Sequence, residues 1–204
     1  MPKFNLKKIL SRKIFKEIND KKIEKIIEII DEYEKNFDEK YIDIKDSGRS
    51  FLIILNSIVI KCYNTNYDYC ADYRPLMKLN EKGYKHAIKI LYSNSDFEII
   101  VLEKLESIHL KNKLLDKYQN KKFIKSIIVV VLNTIFYLFI HNSQTNKELT
   151  IFNIGIDKNN VIKLFDFESS KYQNPDNEFE SKIKLYYSFE NFVNNLISNI
   201  DSLI

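Results

Sequence analysis

The stretch from Glu148 to Glu168 constrains the fold of this 204-residue chain more than any other part of it. Two short apolar runs rich in β-branched residues lie on either side of the turn sequence Asp157–Asn160. The runs are Ile154–Ile156 and Val161–Phe165. Such runs around a turn of Asp and Asn are typical of a β-hairpin. The hairpin would hold Asn153 at its entry beside Asp166 at its exit.

This pair of side chains suits a magnesium ion. An amide carbonyl and a carboxylate are hard oxygen ligands, and a site built from only these two leaves room for waters and substrate phosphates. Asn153 and Asp166 are therefore the candidate metal ligands. The alternative is a plain β-hairpin with a solvated acid, and the order of the other elements along the chain bears on the choice.

Composition limits the class of protein. Hydrophobic residues make up 45% of the chain and aromatic residues 13%, which predicts a globular rather than a disordered protein. The net charge of +4 is small and the lysines are interleaved with acids, so nucleic-acid binding is not expected. Cys62 and Cys70 have no metal or redox spacing and are predicted to be reduced, which indicates a cytoplasmic compartment.

No segment predicts membrane insertion. The longest apolar run, Ile127–Ile140, is too short to cross a bilayer. The N-terminus lacks the apolar region of a signal peptide. We therefore expect a protein that is not inserted into a membrane.

The chain begins with helical patterns and then changes to strands. In residues 3–37 apolar side chains recur at three- and four-residue spacing, which predicts N-terminal helices. Strands follow between residues 41 and 102, and the turn between the first two contains Gly48. The predicted strands are Tyr41–Lys45, Phe51–Leu55, Ile58–Tyr63, His86–Tyr92 and Glu98–Leu102.

Helical patterns interrupt and follow these strands. A helix is predicted around Asp72–Lys82 with Pro75 in its first turn, where proline is tolerated. Leu110–Gln119 is predicted to be a short polar helix, and Ile124–His141 a long apolar helix that should be buried on nearly all sides. Helical character returns from Glu178 to Ile200.

The order of these elements resembles that of the protein-kinase-like phosphotransferases. In that family a catalytic loop, His-Arg-Asp-Leu-x-x-x-Asn, precedes a hairpin and the metal-binding loop Asp-Phe-Gly. On this pattern Glu148 takes the place of the catalytic acid, and Asn153 and Asp166 take the places of the metal ligands. The departures are Asn146 and Lys147 for His-Arg, Glu148 for Asp, and Glu168 for Gly.

The predicted strands resemble the small lobe of that family. Ile58-Val-Ile-Lys61 is similar to the Val-Ala-Ile-Lys strand, so Lys61 would contact ATP phosphates, although an outward lysine on an edge strand is the plainer interpretation. Gly48 would lie over the phosphates, and Glu103 and Leu105 would bind adenine through main-chain atoms. Asp72 stands where the family has a glutamate that orients the lysine, or else it caps the N-terminus of the helix.

The resemblance implies an α+β, two-lobed protein-kinase-like fold. Residues 1–40 would form a helical extension, 41–102 a small lobe with a five-stranded antiparallel sheet, and 103–204 a truncated helical large lobe. The lack of a long activation segment after the metal loop is closest in style to compact kinases that bacteria deliver into host cells and to reduced viral kinases. The expected location is therefore the cytoplasm of the protein's own cell or of a host cell.

The function that the resemblance implies is transfer of the ATP γ-phosphate to a hydroxyl group, as by a minimal Ser/Thr protein kinase. Glu148 and Lys61 would be the catalytic residues, and ATP and Mg²⁺ the cofactors. A protein substrate or a regulatory protein is the expected partner. Two alternatives stay open, because fold does not establish activity: a catalytically impaired pseudokinase that binds a partner, and a structural α+β domain.

Overall fold

The computed structural model describes residues 19–34, 42–46, 48–105, 121–142, 144–146, 153–166 and 170–172, together with 187, 189–190 and 193–194. Within these residues the fold is α+β, with three helices, one five-stranded sheet and two two-stranded ladders. Every strand pair of the large sheet is antiparallel. The predicted α+β class and five-stranded antiparallel sheet are confirmed.

The elements have the following bounds. The helices are α1 (Asp20–Tyr33), α2 (Asn66–Glu81) and α3 (Lys121–Asn142). The large sheet contains β1 (Asp43–Asp46), β2 (Ser50–Ile54), β3 (Ile58–Tyr63), β4 (Ile90–Asn94) and β5 (Ile99–Glu103). The ladders pair β6 (Gln144–Asn146) with β9 (Ser170–Tyr172) and β7 (Ile154–Ile156) with β8 (Ile162–Leu164).

These elements form two compact units. The first contains the chain up to Cys70 together with Lys89–Lys104, and the second contains Ala71–Ile88 and the chain from Leu105 onward. The boundary between the units therefore falls inside α2. The division into a helical extension, a small lobe and a large lobe stays a prediction.

Helix α1 belongs to the core of the first unit. The helix begins after Asn19, whose side-chain Oδ1 accepts the N–H of Lys21 at 2.9 Å and caps the N-terminus. Its isoleucines are buried, as their periodicity predicts. They share one cluster with alternating residues of the sheet, which include Phe51, Ile53, Ile60, Cys62, Ile99 and Val101. One face of the sheet is thus packed on α1.

The strand order of the sheet is β1-β2-β3-β5-β4, which makes β3 the middle strand. The bounds predicted for β3 are confirmed, and those predicted for β1, β2 and β5 differ from the structure by at most two residues. The interpretation of Lys61 as an outward lysine on an edge strand is wrong, because β3 has a neighbour on both sides.

Helix α2 begins six residues earlier than predicted. Its N-terminus is capped by Thr65, whose Oγ1 accepts the N–H of Asp68 at 3.1 Å and donates to the Asp68 carboxylate at 2.6 Å. Pro75 therefore lies inside the helix rather than in its first turn, and Asp72 is not an N-cap. The buried side chains of Leu76 and Leu79 hold the helix in place beyond the proline.

Strand β4 begins at Ile90, four residues later than predicted. The preceding residues pair instead with β8 in a short parallel arrangement: the N–H of Leu164 donates to His86 O at 2.7 Å, and the N–H of Ile88 donates to Leu164 O at 3.0 Å. The assignment of His86–Ile88 to the five-stranded sheet is therefore wrong, whereas Lys89 accepts a hydrogen bond from the N–H of Glu103 in β5. An extended backbone can pair with either sheet, and its sequence pattern does not distinguish them.

Helix α3 is not buried on all sides. Ile127, Val131 and Ile135 are buried, whereas Val129 and Phe136 are exposed. The expectation of a helix buried on nearly all sides is therefore wrong for the side of α3 that carries Val129 and Phe136. Within the described residues, no helix combines the length and apolar character that a membrane span requires.

Candidate functional site

The β7–β8 hairpin is closed by a side chain in its turn. Asp157 Oδ1 accepts hydrogen bonds from the backbone N–H groups of Asn159 and Val161, both at 2.9 Å. The N–H of Asp157 donates to Val161 O at 3.0 Å, and Asn160 has a left-handed φ of 61°. Asp and Asn favour this turn because they bond the local backbone and tolerate positive φ.

Asn153 and Asp166 lie together at the open end of the hairpin. Ile154 is paired with Leu164, and the N–H of Phe165 donates to Asn153 O at 3.0 Å. Asp166 is the next residue. The hairpin therefore has both candidate metal ligands at its open end, with Asp166 one residue beyond the partner of Asn153, and their joint binding of a metal ion stays a prediction.

Asp166 has an unusual backbone conformation. Its φ is 64°, in the left-handed region that few residues other than glycine adopt. Such conformations persist where the surrounding structure imposes them, and they concentrate at ligand-binding and catalytic sites. The residue that the sequence assigns to metal binding is thus also the residue at which the chain turns away from β8.

A second ladder brackets the hairpin. In the β6–β9 ladder, Asn146 is opposite Ser170. One connection leads from Asn146 through 147–152 to Asn153, and the other leads from Asp166 to Ser170. Because the hairpin and the ladder pair the ends of these connections, residues 147–152 and 167–169 join the same two parts of the second unit.

The candidate catalytic acid, Glu148, lies in the first of these connections, outside the described residues. Glu168, which replaces the family's glycine, also lies outside them. The role of Glu148 stays a prediction. Its assignment depends on the described ends of the loop and on its spacing from Asn153.

Sequence reasoning missed one contact beside this site. Leu105 is buried, and its side chain lies against Gly155 in β7. A methyl group added to Gly155 would overlap Leu105 Cδ1 and would lie 3.1 Å from Leu105 Cβ. The close approach of Leu105 therefore requires glycine here. A glycine inside a strand pattern signals such an approach, but it does not identify the neighbour.

Lys61 lies on the face of the sheet opposite to α1. Leu52 on β2 and Ile100 on β5 are directly opposite it, and the residue is only 7% exposed. Its ammonium group lies 5.1 Å from the centroid of the Tyr63 ring, a cation–π contact. An ammonium shielded from water in this way requires negative or dipolar partners. Lys61 is therefore not a solvated surface lysine.

Asp72 is a second buried charge. It lies in the second turn of α2 and is 1% exposed. A carboxylate at this depth also requires a compensating partner, because the desolvation of an unpaired charge is costly. Lys61 belongs to the first unit and Asp72 to the second. The ion pair between them stays a prediction.

Two N–H groups expected to face ATP form hydrogen bonds inside the protein. Gly48, with a φ of 80°, donates its N–H to Asp46 Oδ1 at 2.8 Å. Glu103 donates its N–H to Lys89 O at 3.0 Å, and its carboxylate accepts the N–H of Lys89 at 2.8 Å. A nucleotide would have to use other atoms of Gly48 and Glu103, or displace these bonds.

The described histidine and the two cysteines show no arrangement typical of a catalytic group. His86 donates its Nδ1–H to Ile162 O at 2.9 Å, since a carbonyl can only accept, and this agrees with the prediction of a packing or surface histidine. Neither Cys62 nor Cys70 is in a disulfide. Burial raises the pKa of the Cys62 thiol to about 12, so this thiol is a poor nucleophile.

The pair Asn153 and Asp166 fits Mg²⁺ by its chemistry. Both residues are only half-buried, so a ligand can reach them from solvent. One carboxylate and one amide suit an ion that takes its remaining ligands from water and phosphate. No group of three or more His, Cys, Asp or Glu residues within the described parts of the chain could hold a metal ion. A site of this kind would thus take most of its oxygen ligands from water and from the nucleotide phosphates.

No protein-family model and no curated protein matches the chain. The candidate site therefore rests on its own geometry. The Asn153–Asp166 pair belongs to the second unit, and the buried Lys61 is a separate feature of the first unit.

Proposed function

We propose that this chain is an ATP- and Mg²⁺-dependent phosphotransferase that transfers the γ-phosphate to a hydroxyl group, as a minimal Ser/Thr protein kinase does. One observation carries the proposal. Asn153 is bonded to Phe165 at the end of the hairpin, and Asp166 follows at once in a left-handed conformation. Aspartate tolerates this conformation better than most residues, and residues that adopt it concentrate at ligand-binding and catalytic sites, which supports the assignment of Asp166.

Asn153 and Asp166 would hold the metal ion through their oxygen atoms. A divalent cation bound there would supply positive charge against the phosphate oxygens. Lys61 would bind the α- and β-phosphates as a point charge. Its burial between Leu52 and Ile100 supports this role, because low water access strengthens the attraction between an ammonium and a phosphate.

Glu148 would orient the acceptor hydroxyl and take up its proton. A glutamate side chain is one methylene longer than the aspartate of the kinase pattern. Displacing a catalytic group by about 1 Å can reduce the rate roughly a hundredfold. The enzyme would therefore be slow unless the backbone of this loop compensates for the added length.

A specific observation favours a second candidate, a pseudokinase that acts by binding a partner. The N–H of Gly48 is held by the carboxylate of Asp46, which puts a negative charge beside the group that would approach phosphate. That carboxylate would weaken nucleotide binding by repulsion. In this case ATP binding would be weak and phosphate transfer would not occur.

The first test is a thermal-shift titration with ATP, with and without Mg²⁺. Ligand at about a hundred times its dissociation constant stabilises the native state by about 2.7 kcal/mol. We expect a Mg²⁺-dependent rise in melting temperature that Asp166→Ala and Lys61→Met abolish. Asp96→Ala, which removes an exposed acid from the β4–β5 turn, is the matched control and should keep the rise. No rise in the wild type would contradict the proposal.

A transfer assay then separates the two candidates. Glu148→Ala should keep the Mg²⁺-dependent thermal shift and lose transfer of radiolabelled γ-phosphate to protein or water. Loss of both would indicate that Glu148 binds nucleotide rather than acting on the acceptor. A wild type that binds ATP but transfers no phosphate would favour the pseudokinase.

A further inference from the structure

A groove in the second unit has no role in the proposed function. One wall is the loop Lys82–His86, which follows α2, and the other wall is α3. The groove has a volume of about 760 Å³, within the range of ligand-binding clefts. Every residue that lines it belongs to the second unit.

The floor of the groove is fixed by aromatic and hydroxyl contacts. The rings of Tyr84 and Tyr137 are stacked, with centroids 4.8 Å apart and 27° between their planes. The hydroxyl of Thr134 donates its hydrogen to Val130 O at 2.8 Å. The Tyr84 hydroxyl lies 2.8 Å from Thr134 Oγ1 and must therefore be the donor of the hydrogen bond between these two hydroxyls. These side chains would lose little freedom when a ligand binds, which favours affinity.

The α3 wall carries an exposed stripe of three residues, which is apolar at both ends and polar in the middle. Val129, Asn133 and Phe136 are spaced by four and three residues and so lie on one side of the helix. Val129 is 44% exposed and Phe136 is 52% exposed. The two side chains are about 10 Å apart along the helix axis, from a rise of about 1.5 Å per residue. Because both side chains line the groove, they can contact apolar groups of a bound ligand.

The opposite wall is positively charged. Lys82 and Lys85 are both exposed, and neither has a carboxylate partner among the described residues. The sequence contains no Asp or Glu anywhere in α3 or in Lys82–Asn94. The charge of these ammonium groups is therefore not neutralised by the segments that form the groove.

We propose that this groove binds an acidic segment of a partner protein. One or two apolar side chains of that segment would lie on Val129 and Phe136, and its carboxylates would lie beside Lys82 and Lys85. The open shape and the two-turn length of the stripe suit a short helical segment. The acidic character follows from charge complementarity with the two lysines.

A designed peptide tests this proposal directly. The probe is a fluorescein-labelled helical peptide of about 14 residues, with Leu or Phe at helical positions one, five and eight and Glu beside them. We expect saturable binding by fluorescence anisotropy, weakened about tenfold by Phe136→Ala and at least tenfold by Lys82→Glu with Lys85→Glu. A peptide with Lys in place of Glu should bind at least tenfold more weakly.

The control variants distinguish binding in the groove from nonspecific electrostatic or hydrophobic binding of the peptide elsewhere on the protein. Lys21→Glu with Lys158→Glu reverses two exposed lysines elsewhere, and Tyr67→Ala removes an exposed aromatic ring outside the groove. Both should bind the probe like the wild type, and circular dichroism and melting should verify that every variant is folded. Asp166→Ala should also bind normally, because the groove does not depend on the proposed phosphotransferase site.

Three results would overturn the proposal. The first is the absence of saturable binding of the acidic peptide. The second is equal weakening by the groove variants and by the matched controls. The third is a protein that does not bind the peptide but binds phosphatidylserine vesicles, and loses vesicle binding when Lys82 and Lys85 are replaced by Glu. The groove would then bind a membrane surface.

Discussion

The contact between Leu105 and Gly155 makes a quantitative prediction about the candidate site. Gly155→Ala would place a methyl group against Cβ as well as Cδ1 of the buried Leu105, and rotation of the Leu105 side chain cannot move its Cβ away. Overpacking of this kind typically destabilises a protein by about 1–3 kcal/mol. Because Gly155 lies in β7, two residues after Asn153, a shift of this strand would also move the proposed metal ligand.

A double-mutant cycle tests whether the cost of Gly155→Ala comes from its contact with Leu105. Leu105→Ala should itself cost about 2–5 kcal/mol through the cavity that it creates. In that background the added methyl group has space, so the double variant should be more stable than the sum of the single effects by about 1–3 kcal/mol. Guanidinium unfolding followed by far-ultraviolet circular dichroism measures all four proteins.

Gly48 provides the matched control. It has a φ of 80° and nothing within 4 Å of an added Cβ, so Gly48→Ala should cost about 1–2 kcal/mol through backbone strain alone. Leu105→Ala should leave this cost unchanged. Our reasoning would be refuted if Gly155→Ala were within about 0.5 kcal/mol of wild type, or if its cost were the same with and without Leu105.

Three further predictions address charge and hydrogen bonding. Burial raises the pKa of Cys62 from 9.0 to about 12, so the native state keeps the thiol protonated where the unfolded chain loses the proton, and the free energy of unfolding should fall as the pH rises from 9 to 12. Unfolding curves of Cys62→Ala should show a smaller fall over this pH range, and the same fall in the variant and the wild type would contradict the prediction. The predicted ion pair between Lys61 and Asp72 should give a coupling energy of about 1–3 kcal/mol in a cycle with Lys61→Met and Asp72→Asn, whereas a value near zero would show that each charge has other partners. Asp157→Ala should destabilise the protein by about 2–4 kcal/mol, because two backbone N–H groups lose a charged acceptor, and Asp157→Asn, which keeps one acceptor oxygen, should recover part of that loss in the same unfolding assay.

Local patterns were sufficient to predict the elements that position the candidate site. The nearly continuous apolar run Ile58–Tyr63, which follows a turn sequence, identifies β3 with its correct bounds, and the Asp and Asn residues of the turn predict the β7–β8 hairpin. The hairpin in turn brings Asn153 next to Phe165 and Asp166. These predictions succeed because each depends on interactions between residues that are close in sequence.

The start of α2 was predictable in principle and was missed. The pattern Thr65-x-x-Asp68 is a capping signal, and its hydrogen bonds begin the helix at Asn66. Pro75, interpreted as a first-turn proline, instead predicts a helix start six residues too late. A proline removes one hydrogen bond from a helix, and tertiary packing of neighbouring residues can outweigh that loss.

The sequence by itself determined the α+β class, the antiparallel strands and the hairpin that has Asn153 and Asp166 at its open end. The tertiary structure alone decided that β3 is the middle strand, which shields Lys61 from water, and that Leu105 lies against Gly155. It also decided that one stripe of α3 is left exposed. The physical reason is that periodicity records which side of an element is apolar, whereas the partner that covers that side is chosen by contacts between residues far apart in the chain.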